Sequence, residues 1–224
     1  MRILKTIAIS LIASTLMVLP STAIEKRIGL SASFAQLETA GSETLKDTSV
    51  VTNHTETGNA IVPSLFIELL AGNGFGAGVD FISGTADLAG GNQNNIKSDP
   101  GTGSDSGTNA ANAELDSITT YYLIKEFDSG LSFKLGYSEA DLNTTETLAT
   151  GSTYGNVSID GTMMGIGYGK MSDSGFFFRS SVEYTDFDEI TLTSQVADAV
   201  SGTTNKIKGD VDATVVKLSV GKSF

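Results

Sequence analysis

Seven charged side chains stand out in this 224-residue sequence: Glu68, Asp80, Lys125, Lys134, Arg179, Glu183 and Lys217. Each sits in a stretch where apolar residues tend to recur at every second position, and each is read onto the face shared with Gly and Ser. Acids and bases held together away from water persist only when paired and hydrogen-bonded. Such a set can line a charged passage or fill a narrow interior with ion pairs. Other chemistry-bearing residues are sparser. His54 is the single histidine, and a metal site needs further strong ligands beside it. Asp99, Asp105 and Asp116 lie among Gly and Asn without the EF-hand spacing, which describes a solvated acidic loop with at most a loose affinity for divalent cations. The run from Gly72 to Gly78, GNGFGAG, mimics a dinucleotide fingerprint. That site requires a helix next, whose N-terminus meets the pyrophosphate, and here an alternating segment follows. No cofactor, no metal site and no catalytic residue is read from the sequence.

The elements that must position the seven charges are strands, because a period of two puts successive side chains on opposite faces. Eight segments show it: 27–37, 62–70, 75–85, 115–127, 131–142, 157–170, 176–187 and 210–224. The fifth is the clearest, with Leu131, Phe133, Leu135 and Tyr137 alternating against Ser132, Lys134, Gly136 and Ser138. In the fourth, Ile118, Thr120, Tyr122 and Ile124 alternate, but Tyr121 and Leu123 are apolar too, so its phase is the least determined. In the last, Val216, Leu218, Val220 and Phe224 share one face and Lys217, Ser219, Gly221 and Ser223 the other.

Connections between these segments alternate strictly: long, short, long, short, long, short, long. Short ones are built from turn formers, as in Asp128-Ser129-Gly130. A soluble sandwich gives no reason for every long connection to lie at one end. A transmembrane barrel does, with short periplasmic turns and long extracellular loops. Aromatics fall into two groups along the strands. Phe75, Phe127, Phe133, Phe176, Phe178, Tyr168 and Phe224 lie toward the short turns, and Phe34, Phe81, Tyr137 and Tyr184 toward the long loops, as two interfacial belts require.

The first residues address the chain. Arg2 and Lys5 precede an apolar run, Pro20 breaks it, and Ser21-Thr22-Ala23 supplies small residues for cleavage. Residues 1–23 are read as a secretory signal peptide and 24–224 as the barrel domain. A formal charge of -12 and the absence of Cys argue against nucleic acid as a partner and against disulfides.

With its leader, its alternating strands and the terminal VVKLSVGKSF, the chain resembles the small eight-stranded outer-membrane barrel proteins of Gram-negative bacteria, the outer membrane protein β-barrel or porin family. The resemblance implies an all-β, eight-stranded antiparallel transmembrane barrel in the cell outer membrane, monomeric, in contact with outer-membrane lipid and lipopolysaccharide. It also implies that Val216, Leu218, Val220 and Phe224 form the signal read by the assembly machinery; Lys222 departs from that pattern. Some such barrels modify lipid A with His, Ser and an acid at the outer rim, which His54 and Asp116-Ser117 would have to supply. Glycines 76, 78, 165, 167 and 169 face inward and leave open whether the lumen holds a water-filled crevice. The reading is a structural or surface-interaction barrel whose lumen is filled by a charged network; a small porin is the alternative.

Overall fold

The computed structural model describes residues 24–44, 51–94, 108–147, 153–195 and 204–224. Ten strands follow one another without a helix among the described residues: β1 (Glu25–Thr44), β2 (Val51–Leu70), β3 (Phe75–Ile82), β4 (Ala86–Asn94), β5 (Thr108–Glu126), β6 (Leu131–Thr147), β7 (Val157–Met171), β8 (Phe176–Phe187), β9 (Ile190–Thr193) and β10 (Lys206–Ser223). They make eight staves. Ser83-Gly84-Thr85 interrupts one, so β4 continues β3, and Asp188-Glu189 interrupts another, so β9 continues β8. Every pairing is antiparallel, and each stave pairs with the staves before and after it in the chain. The sheet closes on itself through β1 and β10, paired from Arg27–Ser223 to Thr44–Lys206.

Three short turns at one end share a single hydrogen-bond scheme. Gly74, Gly130 and Gly175 each donate their N–H to the residue three before, Ala71, Phe127 and Ser172, at 2.8 Å. Their φ values of 77°, 90° and 82° lie in the region that only glycine occupies at no steric cost. Their carbonyls accept from Glu126, Gly169 and Ser223 of the next stave, which ties each turn to its neighbour.

The strands are longer than the alternation indicated. Twenty residues of β1 or β2 reach about 65 Å, far beyond a spanning strand of about 10 residues. The extra length lies toward the long connections and changes character. Nearer the turns, apolar side chains face out, among them Leu30, Ile67, Leu135, Ile166, Val182 and Leu218, all exposed. Above them the outward positions become Gln36, Glu38, Asn59, Asp141, Asp186 and Asp210. There the interior holds an apolar core of Leu37, Leu88, Leu115, Leu142, Ile159, Phe187, Ile190 and Val211.

Two irregularities matter. On β5 the register slips between Asp116 and Thr119, and Ser117 has φ 53°. This bulge inserts one residue, so Leu115 and Ile118 both face the interior on its two sides. On the other flank β4 pairs with β5, yet no ladder joins it to β2 above the Ser64–Ile82 pair among the described residues. A seam therefore runs up the wall between β2 and β4. The matching break beside β9 is stitched instead, by Asp188 N–H to Asp160 O at 2.8 Å and Gln195 N–H to Thr153 O at 2.7 Å.

Candidate functional site

Between the turns and the apolar core the lumen is crossed by a continuous spine of ions and rings. Its floor is Arg27. The guanidinium donates Nε to Glu25 at 2.6 Å, and Nη1 and Nη2 to the two carboxylate oxygens of Glu126 at 2.7 and 2.9 Å. Ser223 Oγ donates to the same Glu25 oxygen at 2.6 Å. Above it the Phe177 ring lies between two cations, 5.3 Å from Arg27 and 5.9 Å from Arg179. Arg179 also stands 5.3 Å from the Phe66 ring. Cations over ring faces gain most where water is excluded.

The middle of the spine is a fork. Arg179 Nη2 and Nη1 donate to Glu68 Oε1 and Oε2 at 2.6 and 3.2 Å, the bidentate geometry that makes the strongest such pairs. Tyr122 adds its hydroxyl to Glu68 Oε1 at 2.7 Å. Arg179 and Glu68 are 2% and 0% exposed, so neither charge has water to fall back on. Lys134 sits 4.3 Å from the Tyr122 ring and donates to Glu183 Oε1 at 3.0 Å. Lys217 bridges Glu183 Oε2, at 2.9 Å, and Asp80. Three acids, Glu68, Asp80 and Glu183, thus meet three bases, Lys134, Arg179 and Lys217.

Chain order gives no hint of these partners: Glu68 and Arg179 are 111 residues apart. They meet because an eight-stranded barrel is only as wide as the side chains that fill it. Of the inward glycines, Gly78 seats a ring from the neighbouring strand, as do Gly29 and Gly221, while Gly165, Gly167 and Gly169 are covered by Glu183, Ser132 with Ser181, and Arg179. A Cβ on Gly29 would stand 2.4 Å from Phe66, one on Gly78 2.6 Å from Tyr122, and one on Gly221 2.5 Å from Phe177. Each is a direct cross-strand partner of that aromatic, so a glycine on one strand lets a ring lie flat from the next.

Six of the seven charges expected inside are there. Lys125 is not. Its cross-strand partners are Phe75 and Phe133 on the outward face, and its ammonium donates to the Asn73 carbonyl and lies 4.4 Å from the Phe75 ring. The cause is the phase of β5: Tyr122 and Ile124 turn inward, each 1% exposed, which sends Lys125 out. Sequence reasoning missed Tyr122, Phe66, Phe177, Arg27, Glu25 and Glu126. Arg27 was legible, since it shares parity with the inward Gly29, Ser31 and Ser33. The aromatics carried a fainter signal, a ring on a glycine-rich face.

Above the spine a cavity of about 40 Å³ separates it from the apolar core, with Ser33, Ser138 and Lys217 below and Leu37, Leu115 and Phe187 above. That volume holds a few waters at most. Val216, Leu218, Val220 and Phe224 share one outward, exposed face of the last stave and its end. Phe224 exchanges backbone hydrogen bonds with Lys26, at 2.9 and 3.3 Å. His54 belongs to strand β2, opposite Gly41, not to a loop. Asp116 accepts the Ser117 N–H at the bulge. Asp99 and Asp105 lie outside the described residues, as does the leader.

No family model and no curated protein matches the chain. Among solved structures it is similar to the outer membrane protein OprG from Pseudomonas aeruginosa, with 15% identity, a TM-score of 0.59, and 91% of this chain and 97% of that one covered. It is the fold of a small outer-membrane β-barrel. Lower likenesses are to the outer membrane protease OmpT from Escherichia coli, at 8% identity and TM-score 0.48 over 89% of this chain and 97% of that one, and to the attachment invasion locus protein Ail of Yersinia pestis, at 12% and 0.40 over 89% and 99%. The outer-membrane barrel fold accounts for the apolar outward belt and for a spine of charge on the inside, where a soluble barrel would keep oil.

Proposed function

We propose that this protein is an electrically silent outer-membrane barrel with a structural or surface-interaction role, exported by a leader cleaved after Ala23. One observation carries the reading: the lumen is closed twice, by the neutral Arg179–Glu68–Lys134–Glu183–Lys217–Asp80 network and by the apolar core above it. In this reading the acidic upper wall and the long connections meet the cell surface, where lipopolysaccharide and divalent cations are the partners expected of that position. Val216, Leu218, Val220 and Phe224 present the last strand to the assembly machinery.

Single-channel recording in a planar bilayer tests this. The wild type should give no steady conductance, and Arg179→Ala, which strands Glu68, should raise it if anything. A stable wild-type channel that falls when Arg179 is removed would make the protein a small porin.

A further inference from the structure

Charge on the outward wall is divided into two belts. At the turn end the outward positions hold Lys26, Lys125, Lys170 and Lys222. Their cross-strand partners are apolar: Leu69 for Lys26, Phe75 and Phe133 for Lys125, Phe178 for Lys170, and Phe176 and Ile28 for Lys222. The nearby carboxylates Glu25 and Glu126 are taken up inside by Arg27, and Asp128 and Asp173 sit in the turns beyond. At the loop end acids predominate on the outward wall, with Glu38, Asp212 and Asp186 as successive partners on β1, β10 and β8, while Lys206 is exposed there and Lys208 is paired to Glu189.

Two of the four lysines are held in the same way. Lys125 donates to the Asn73 carbonyl of the first turn and stands 4.4 Å from the Phe75 ring and 5.3 Å from Phe127. Lys222 donates to the Ser174 carbonyl of the third turn and stands 4.5 Å from the Phe176 ring. In each case the turn reads x-Gly-Phe, and the lysine lies on the stave that the turn glycine's carbonyl binds. An ammonium has three donors, and the turn uses one. Ring and carbonyl fix the charge at the edge of the aromatic girdle, the level at which lipid phosphates lie. Lysines at that depth attract anionic lipid.

We infer that this girdle binds the phosphate of anionic phospholipids in the leaflet around the short turns. The inference rests on the reading that the apolar belt spans a bilayer. The acidic belt at the other end holds no such lipid, so the preference belongs to one leaflet.

The test uses spin-labelled lipids and the full barrel in phosphatidylcholine vesicles. Spin-labelled phosphatidylglycerol should associate with the wild type several-fold more strongly than spin-labelled phosphatidylcholine. The preference should shrink in high salt and vanish in the variant carrying Lys26→Gln, Lys125→Gln, Lys170→Gln and Lys222→Gln. Lys206→Gln with Lys208→Gln, at the loop end, should leave it intact. Should the fourfold variant not fold, Lys125→Gln and Lys222→Gln made singly must each lower the preference. Equal association of the two lipids with the wild type, or a preference that survives these changes, overturns the inference. Motional restriction of neither lipid would instead sink the spanning reading beneath it.

Discussion

The turn-side and loop-side halves of this barrel are inside-out versions of each other. Below, Leu135 and Ile166 face out while Lys134, Glu183 and Arg179 face in; above, Asp141 and Asp186 face out while Leu142 and Phe187 face in. The outward face changes from apolar to polar along β1, β6, β8 and β10. On β10, Lys217 gives way to Val215 and Val211 inside just as Val216 gives way to Thr214 and Asp212 outside. Both halves follow one rule under two solvents. A wall in lipid must send its polar groups inward and satisfy them there, and a wall in water sends them outward and buries oil. The strand itself is indifferent; the medium outside sets which face is apolar.

The largest effect should come from breaking the lower interior. Glu68→Ala leaves the Arg179 guanidinium buried without its fork, and removing one partner of a buried pair costs about 3–5 kcal/mol. Replacing both, with the hydroxyl that bonds Glu68 also removed, as Glu68→Leu, Arg179→Met and Tyr122→Phe, should recover most of that loss, since apolar side chains need no partner. Urea unfolding from lipid vesicles, extrapolated to water, measures both. If the triple variant is as unstable as the single one, the lower lumen depends on more than satisfied charge.

The outer wall should answer differently at its two levels. Leu135→Arg places a charge in the apolar belt and should cost about 2–4 kcal/mol near the bilayer midplane. Asn59→Arg, outward on the loop-side half of β2, should stay within about 0.5 kcal/mol, as exposed substitutions do. Equal costs at the two sites would mean that the outward faces share one solvent, and the contrast between the halves would collapse.

A smaller contrast lies within one strand. Ile159 of β7 points into the loop-side core and is 4% exposed, whereas Ile166 points outward and is 47% exposed. Ile159→Val should cost about 0.5–1.5 kcal/mol, because packed neighbours cannot close on the lost methylene. Ile166→Val should cost less, since lipid chains refill the space. A larger loss at Ile166 would place the tighter packing on the outer wall.

The lower half was legible in the sequence because lipid enforces a clean alternation of large apolar residues with Ser, Gly and charge. The upper half was not. Its apolar residues sit on the other face, so the pattern looks as if it dies where it only changes phase. The marks are adjacent pairs at the crossover: Phe34-Ala35 on β1, Met163-Met164 on β7 and Val215-Val216 on β10. On β5 two further causes combined. The bulge at Asp116–Thr119 shifts the phase by one residue, and inward Tyr122 and Ile124 put apolar side chains on both faces, which is how Lys125 came to be expected inside. Partners within the spine were beyond sequence reasoning, because a ring of eight staves brings together residues that no local spacing relates.

The smallest effect expected concerns the loop-side exterior, where charge is bathed in water. Lys208 on β10 donates to Glu189 at 2.8 Å, and both side chains are more than half exposed. The hydrogen bond to Glu189, then its charge, hold the Lys208 ammonium above the ordinary 10.5, against slight desolvation. A group whose pKa is raised by folding stabilises the fold below its unfolded pKa and loses that contribution as pH rises through the folded value. The pair should therefore contribute fully at neutral pH and fade only above about 10.5, where deprotonation of the unfolded chain sets in. Solvent and salt screen an exposed pair, so Lys208→Gln and Glu189→Gln should each shift the urea midpoint only slightly at low salt. The double variant should shift it no further than the larger single, and moderate salt should erase the difference. The contrast with Glu68→Ala is the point of the measurement: the same type of pair, moved from the dry lower lumen to the wet upper wall, becomes nearly dispensable. A salt-resistant loss at Lys208 comparable to that at Glu68 would show that the upper exterior is not in water, and would overturn the division of the barrel between two solvents.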